Sequence, residues 1–226
     1  DYIRECLTKE GVTFDRSRKV YAHTAQPRVY LKDGDRVFAA GPRDSCQHLF
    51  AMKIVPEDME IIKEYDICHS SCYSNLEYEL PTLKDICEVS FDFSDDSDDA
   101  YYERVAPYVD YAFCSMDATE EDIKARLKWI RSLGPHLVCA SRGADGCILY
   151  DGREFYIQPA VKIERVVDTM GAGDSLVASF LVSYLSDLKH GVPEPQAIET
   201  ALARGASFAA GICGVEGAFG YGLQYE

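Results

Sequence analysis

The stretch from Val166 to Leu181 reads VVDTMGAGDSLVASFL. It runs apolar, then small and glycine-rich, then acidic, then apolar again. Glycines let a backbone approach a ligand closely. The helix that follows leaves its first N–H groups unpaired and the positive end of its dipole exposed, which makes an anion site. Asp174 falls in the first turn, beside any bound anion. A carboxylate there can take a proton from a hydroxyl while the N–H groups hold charge on a transferring phosphoryl group. No Lys-Ser or Lys-Thr follows the glycines, so the loop is not a Walker P-loop. A plain helix N-cap explains Asp and Gly at this place equally well.

A second glycine stretch, ASRGADGC from Ala140 to Cys147, follows an apolar strand and precedes another. Ser141, Gly143 and Gly146 make a tight turn at a strand's C-terminal end, where open α/β sheets bind ligands. Working outward, Glu88 to Phe93, Tyr111 to Ser115 and Leu137 to Ala140 read as short buried strands. Glu120 to Leu133 has helical spacing through Ile123, Leu127 and Ile130 and stops at Gly134. Cys147–Tyr150 and Glu154–Gln158 read as a hairpin about Asp151-Gly152, and helices are expected over Ala172–His190 and Pro195–Cys213. Strands alternating with helices give an α/β fold with a mostly parallel sheet flanked by helices.

Nearer the start, Pro56 to Tyr65 reads as a short helix. Tyr21 to Phe38 alternates, with Ala22, Thr24, Gln26 and Arg28 on one face and Val29 and Leu31 on the other. Asp33-Gly34 is its hairpin turn and Pro27 marks an edge strand. DYIRECLTKEGVTFDRS, from Asp1, reads as a helix, a stop at Gly11 and a strand entry, as if the chain began inside a fold. The acidic run SDDSDDAYYE, Ser94 to Glu103, suits helix capping; a calcium loop would need a Gly and a distal Glu that are absent.

Composition narrows the function. The 226 residues fit one domain, and 47% hydrophobic residues suffice for a core. With 38 acidic and 23 basic residues the formal charge is -15, which repels nucleic acid and anionic membranes. The longest apolar run, Leu176 to Leu185, falls short of the roughly 20 residues of a membrane span. Nine cysteines without a framework suit a reducing cytoplasm. Cys68-His69-Ser70-Ser71-Cys72 carries zinc-ligand types but lacks a second ligand pair, so buried free thiols are expected.

Taken together, these motifs resemble the ribokinase-like, or PfkB, carbohydrate kinase family. DTMGAGDSLVASFL is similar to its C-terminal signature. SRGADG is similar to its Thr-x-Gly-x-x-Gly nucleotide loop, with Ser141 in place of Thr. TAQ, DGDRVF, YDICH, FDFSDD and VDYAFCS resemble, more narrowly, the fructoselysine 6-kinase branch. The resemblance implies one ribokinase-like domain over 1–226, with a β-hairpin lid at about 20–40 and a nucleotide-binding part over 87–226. It implies an ATP-dependent transfer to a sugar or sugar-amine hydroxyl. Asp174 would be the base, with Gly171, Ala172 and Gly173 as the anion hole. Ser141, Gly143 and Gly146 would border the nucleotide, and Ala206 and Ser207 would lie near the adenine. Asp168 would help hold a monovalent cation such as K⁺, and Mg²⁺ would arrive with ATP. Thr24, Gln26 and Arg28 on the lid would meet the substrate.

The pattern also departs from the family. The place of its Asn-x-x-Glu motif reads Ser115-Met116-Asp117-Ala118, and its N-terminal Gly-Gly-x-x-Asn stretch is absent. The resemblance therefore implies that the first strands and a sugar-binding aspartate are missing. A truncated chain that keeps the phosphate site, self-associates and has little sugar-kinase activity alone is one expectation. A nucleoside or other sugar kinase, and a remnant that only binds nucleotide, are the alternatives. Pairing through the lid would give a homodimer.

Overall fold

A computed structural model describes residues 2–14, 16–26, 28–32, 35–39 and 44–221. The chain opens with α1, Tyr2–Lys9, and Gly11 follows with a positive φ of 72°. The strand expected after Gly11 does not form: 12–14 and 16–20 have no sheet partner. A two-stranded antiparallel hairpin then stands apart, β1 at Val29–Lys32 and β2 at Asp35–Phe38. This is shorter than the alternation from Tyr21 suggested. Thr24, Gln26 and Arg28 precede the first strand rather than lining its face, although the Arg28 carbonyl still accepts the Ala39 N–H at 2.9 Å. Pro27 and the Asp33-Gly34 turn lie outside the described residues.

Two short helices follow, α2 at Cys46–Leu49 and α3 at Pro56–Ile62. The latter begins with Pro at its first position, where the missing N–H costs nothing. Then the main sheet starts with β3, Ile67–Ser71. The sequence reading missed this strand, because Cys68-His69-Ser70-Ser71 is too polar to stand out. Thereafter come α4 (Leu80–Lys84), β4 (Glu88–Asp92), α5 (Asp99–Val105), β5 (Tyr111–Ser115), α6 (Glu120–Ser132) and β6 (Leu137–Ser141). The hairpin of β7 (Cys147–Tyr150) and β8 (Phe155–Gln158) and the long helices α7 (Ala172–Lys189) and α8 (Glu194–Ile212) complete the chain. Local signals match these elements. Asp98 caps α5 by accepting the Ala100 N–H at 3.0 Å, and Thr119 caps α6 by accepting that of Asp122 at 3.2 Å.

The six strands lie in the order β3-β4-β5-β6-β7-β8. The first four are parallel, and β7 and β8 add antiparallel to β6. Alternation sends Val89, Phe91, Ala112 and Val138 to one face, where Leu83, Tyr102, Ile123, Leu127 and Ile130 pack on them. Tyr111, Phe113, Leu137 and Cys139 face the other way and bury Val177, Phe180 and Tyr184 of α7 and Ile198 and Leu202 of α8. Phe180 meets Phe113 edge-on at 5.8 Å and stacks on Tyr184 at 5.5 Å. Burying one such side chain stabilises the fold by about 1.5–3 kcal/mol. Gly205 brings α8 against α7 so closely that a Cβ there would lie 2.9 Å from Leu176 Cδ1 and 3.1 Å from the Leu176 carbonyl oxygen.

Candidate active site

Because β3 to β6 are parallel, their C-terminal ends fall along one edge of the sheet. Those ends are Ser71, Asp92, Ser115 and Ser141, with Ser71 opposite Asp92 and Ser115 opposite Ser141. The start of α7 lies over this edge. A cavity there is bounded by Asp92, Ser115, Ser141 and Gly173, with Phe113 and Val177 as apolar walls. The Ser115 and Ser141 hydroxyls are 2.9 Å apart. This is the position at which open α/β sheets take ligands.

Gly171 is the residue that lets the chain turn into α7. It is buried and left-handed, with φ at 78°, and a Cβ there would lie 2.7 Å from the Ala218 carbonyl oxygen. Ala172 donates to Thr169 at 3.3 Å, and Ser175 makes the first helical bond to Gly171 at 2.9 Å. No side chain caps the helix, so the N–H groups of Gly173 and Asp174 are available to an anion. Gly173 and Asp174 are exposed, and a Cβ on Gly173 would point into open space. Room, dipole and carboxylate therefore coincide at this turn.

Asp168 holds this turn in place. Its carboxylate oxygens accept the Met170 N–H at 2.8 Å and the Gly217 N–H at 3.1 Å. Val167 and Asp168 in turn donate to the Cys213 carbonyl at 2.8 and 3.3 Å. The segment entering α7 is thus tied to the segment leaving α8.

The loop after β6 presents its two glycines differently. Gly143 faces open space. Gly146, with φ at 88°, packs on the chain after β8, where a Cβ would lie 2.0 Å from the Gln158 carbonyl oxygen. On α8, Ser207 is exposed, whereas Ala206 is buried against its neighbours. Thr24, Gln26 and Arg28 are exposed, and among the described residues no hydrogen bond or ion pair joins them to Asp174.

Asp92 was not picked out in the sequence, and His69 only within a zinc-ligand stretch. Asp92 shares the α7 face of the sheet with Ser90 and His69. Burial raises its pKa, the charges of Asp174 and Asp95 add to this, and the Ser94 N–H at 2.8 Å opposes it. His69 places Nδ1 2.9 Å from the Ser90 hydroxyl. Desolvation on the sheet lowers its pKa against the pull of Asp174, so Asp92, His69 and Asp174 share one electrostatic neighbourhood. An aspartate closing an otherwise buried strand, as in Phe91-Asp92-Phe93, was the available signal. Cys68 and Cys72 are free thiols, and among the described residues no three His, Cys, Asp or Glu side chains converge as a metal site. No described helix is long and apolar enough to cross a membrane.

The chain matches the family model of pfkB family carbohydrate kinases over residues 1–220. It is 37% identical to fructosamine kinase FrlD of Bacillus subtilis over 227 residues, all of this chain and 77% of that protein. It is 32% identical over 198 residues to fructoselysine 6-kinase of Escherichia coli, covering 87% of this chain and 72% of that one. Among solved structures, Arabidopsis thaliana ribokinase complexed with ribose and ATP superposes with a TM-score of 0.70 at 20% identity. That match covers 93% of this chain and 70% of the other.

Proposed function

The chain belongs to the pfkB family of carbohydrate kinases, and from that premise we propose that it phosphorylates the 6-hydroxyl of a fructosamine such as fructoselysine, using ATP. The observation that carries the proposal is the placement of Asp174 one residue past Gly173, at an uncapped helix N-terminus over the C-terminal edge of a parallel sheet. The full-length similarity to a fructosamine kinase supports the choice of acceptor.

In this reading the Asp174 carboxylate accepts the proton of the acceptor hydroxyl. The oxygen then bonds to the γ-phosphorus of ATP, the bond to the β–γ bridging oxygen breaks, and ADP leaves. The N–H groups of Gly171 and Gly173 hold the charge developing on the phosphoryl oxygens, and that of Ala172 joins them only by leaving the Thr169 carbonyl. Ser141 and Gly143 border the nucleotide, and Ser207 faces its base. Gly146 and Ala206 shape that groove through backbone packing. Magnesium, held largely through phosphates and water, supplies charge neutralisation when bound. Asp168 keeps the anion loop against 213–218, and K⁺ would share its carboxylate and nearby carbonyls. Arg28, with Thr24 and Gln26, suits a carboxylate-bearing, polyol acceptor. The free thiols suit a cytoplasmic location.

The experiment is an ADP-release assay with fructoselysine, fructose, ribose and adenosine, with the phosphorylated position read by NMR. Fructoselysine should give the highest kcat/KM. An equal or higher value on any of the other three overturns the acceptor assignment.

A further inference from the structure

We infer that the open edge of β8, with the neighbouring face of α8, is a docking groove for an extended, lysine- or arginine-bearing segment of a partner protein, which adds to the main sheet as a further strand. The groove holds about 360 Å³ and is lined by residues 154–158 of the last hairpin and by Glu199 and Leu202 of α8. It shares no residue with the cavity beneath Gly173 and stands independently of the kinase reading.

Backbone geometry is the first support. Strand β8 ends the six-stranded sheet, with β7 on one side and, among the described residues, no strand on the other. The Asp151 N–H donates to the Glu154 carbonyl at 3.3 Å, which sets the alternation of the antiparallel pair. Tyr156 and Gln158 then bond to β7, while the N–H and C=O groups of Phe155 and Ile157 point outward. Among the described residues no backbone group from outside the sheet bonds to them. Pro159 follows, so the open run is short and an added strand meets these two residues. Unpaired edge groups of this kind are what an extended peptide pairs with.

Charge is the second support. Glu154 and Glu199 are exposed, and among the described residues neither forms an ion pair. Burial pushes the Tyr156 phenol up to about 12, and the charges of Asp151, Glu154 and Glu199 add to this, so the carboxylates converge on one end of the groove. The opposite face of the strand differs. Lys124 and Lys128 lie over the Phe155 ring at 5.4 and 5.6 Å, and Ile157 is 45% exposed. Strand side chains alternate, so the fitting segment turns basic residues toward α8 and apolar ones toward Ile157. A second copy of this chain fits poorly. Pairing β8 with β8 about a two-fold axis would bring Glu154 and Glu199 of both copies together, and each copy carries a formal charge of -15.

The test uses the whole chain and two blocked peptides, acetyl-Val-Lys-Val-Lys-Val-Lys-amide and its glutamate counterpart. Binding is measured by calorimetry, and amide exchange of Phe155 and Ile157 is followed by NMR. The lysine peptide should bind, more weakly as salt rises, and slow exchange at both amides. The glutamate peptide should not bind. Glu199→Lys, at an exposed helix position, should weaken the lysine peptide at least about tenfold. Ile157→Pro removes an outward N–H without touching the β7 ladder and should weaken it too; if that variant unfolds, Glu199→Lys and the peptide charge reversal decide alone. Failure of the lysine peptide to bind the parent overturns the proposal. So does equal binding of the glutamate peptide, or binding that Glu199→Lys leaves unchanged, which would reflect attraction to an acidic chain as a whole. Protection of both amides in the peptide-free parent, with a dimer in sedimentation, overturns it as well, since a second copy would then be the occupant.

Discussion

Two glycines two residues apart should respond to the same substitution in opposite ways. Gly171→Ala puts a Cβ on a residue with φ at 78° and 2.7–2.9 Å from the oxygen, Cα and Cβ of Ala218. The left-handed conformation costs about 1–2 kcal/mol for a residue with a side chain. Overlap with neighbouring backbone adds about 1–3 kcal/mol, because residue 218 must move and Asp168 holds Gly217 beside it. The total of about 2–5 kcal/mol should lower Tm by roughly 4–20 °C in a chain of this size. Gly173→Ala meets nothing within 4 Å and lies in the helix's first turn. Alanine should leave stability unchanged or raise it by up to about 1 kcal/mol. Its methyl would stand where a phosphate oxygen is expected, so ATP affinity should fall at least about tenfold, or 1.4 kcal/mol. Thermal unfolding and calorimetry on both variants separate the effects. A stable Gly171→Ala would refute the close-approach argument. A Gly173→Ala that binds ATP like the parent would show that the anion site lies elsewhere.

Asp174→Asn should keep the fold and ATP affinity while turnover drops by about 10²–10⁴; near-normal turnover would remove Asp174 as the base. Gly146→Ala should prevent soluble expression or lower Tm more than Gly171→Ala, because its Cβ would lie 2.0 Å from a carbonyl oxygen; normal Tm would contradict the packing against Gln158. Glu79, almost buried, accepts from Lys53 at 2.5 Å and from the Ile54 N–H at 2.9 Å, and these bonds hold its pKa below the ordinary 4.5. A depressed folded pKa contributes stability that is full above the unfolded pKa and lost as pH falls through the folded one. Glu79→Gln should therefore lower Tm at pH 7 and flatten its decline below about pH 4.5. Equal acid slopes for variant and parent, measured by calorimetry, would count against that pair.

The helices and buried strands were legible because their periodicity survives in single segments, as Ile123, Leu127 and Ile130 illustrate. Strand β3 was hidden because its site-facing positions carry His69 and Ser71, and polar chemistry there erases the apolar pattern. Thr24, Gln26 and Arg28 had the alternation of a strand face, but alternation supplies no partner, and pairing begins only at Val29. Within the site, the Gly-Ala-Gly-Asp turn is local and could be read directly. Asp92 could not, because its meeting with Gly173 is made by the register of parallel strands and the placement of α7. Gly146 carries a demand that its spacing did not reveal: its missing Cβ accommodates the chain after β8.

The contact of Gly205 with Leu176 has a mechanical consequence. Helix α7 is seated on Phe113 through Phe180 and locked from outside by α8, so its first turn has little freedom to swing. Dipoles fixed before reactants arrive need not be reoriented as charge develops, which lowers the reorganisation cost of the chemical step. Substitutions that disturb the α7–α8 seam outside the cavity, such as Gly205→Ala, would act on the rate constant of a reaction they never touch.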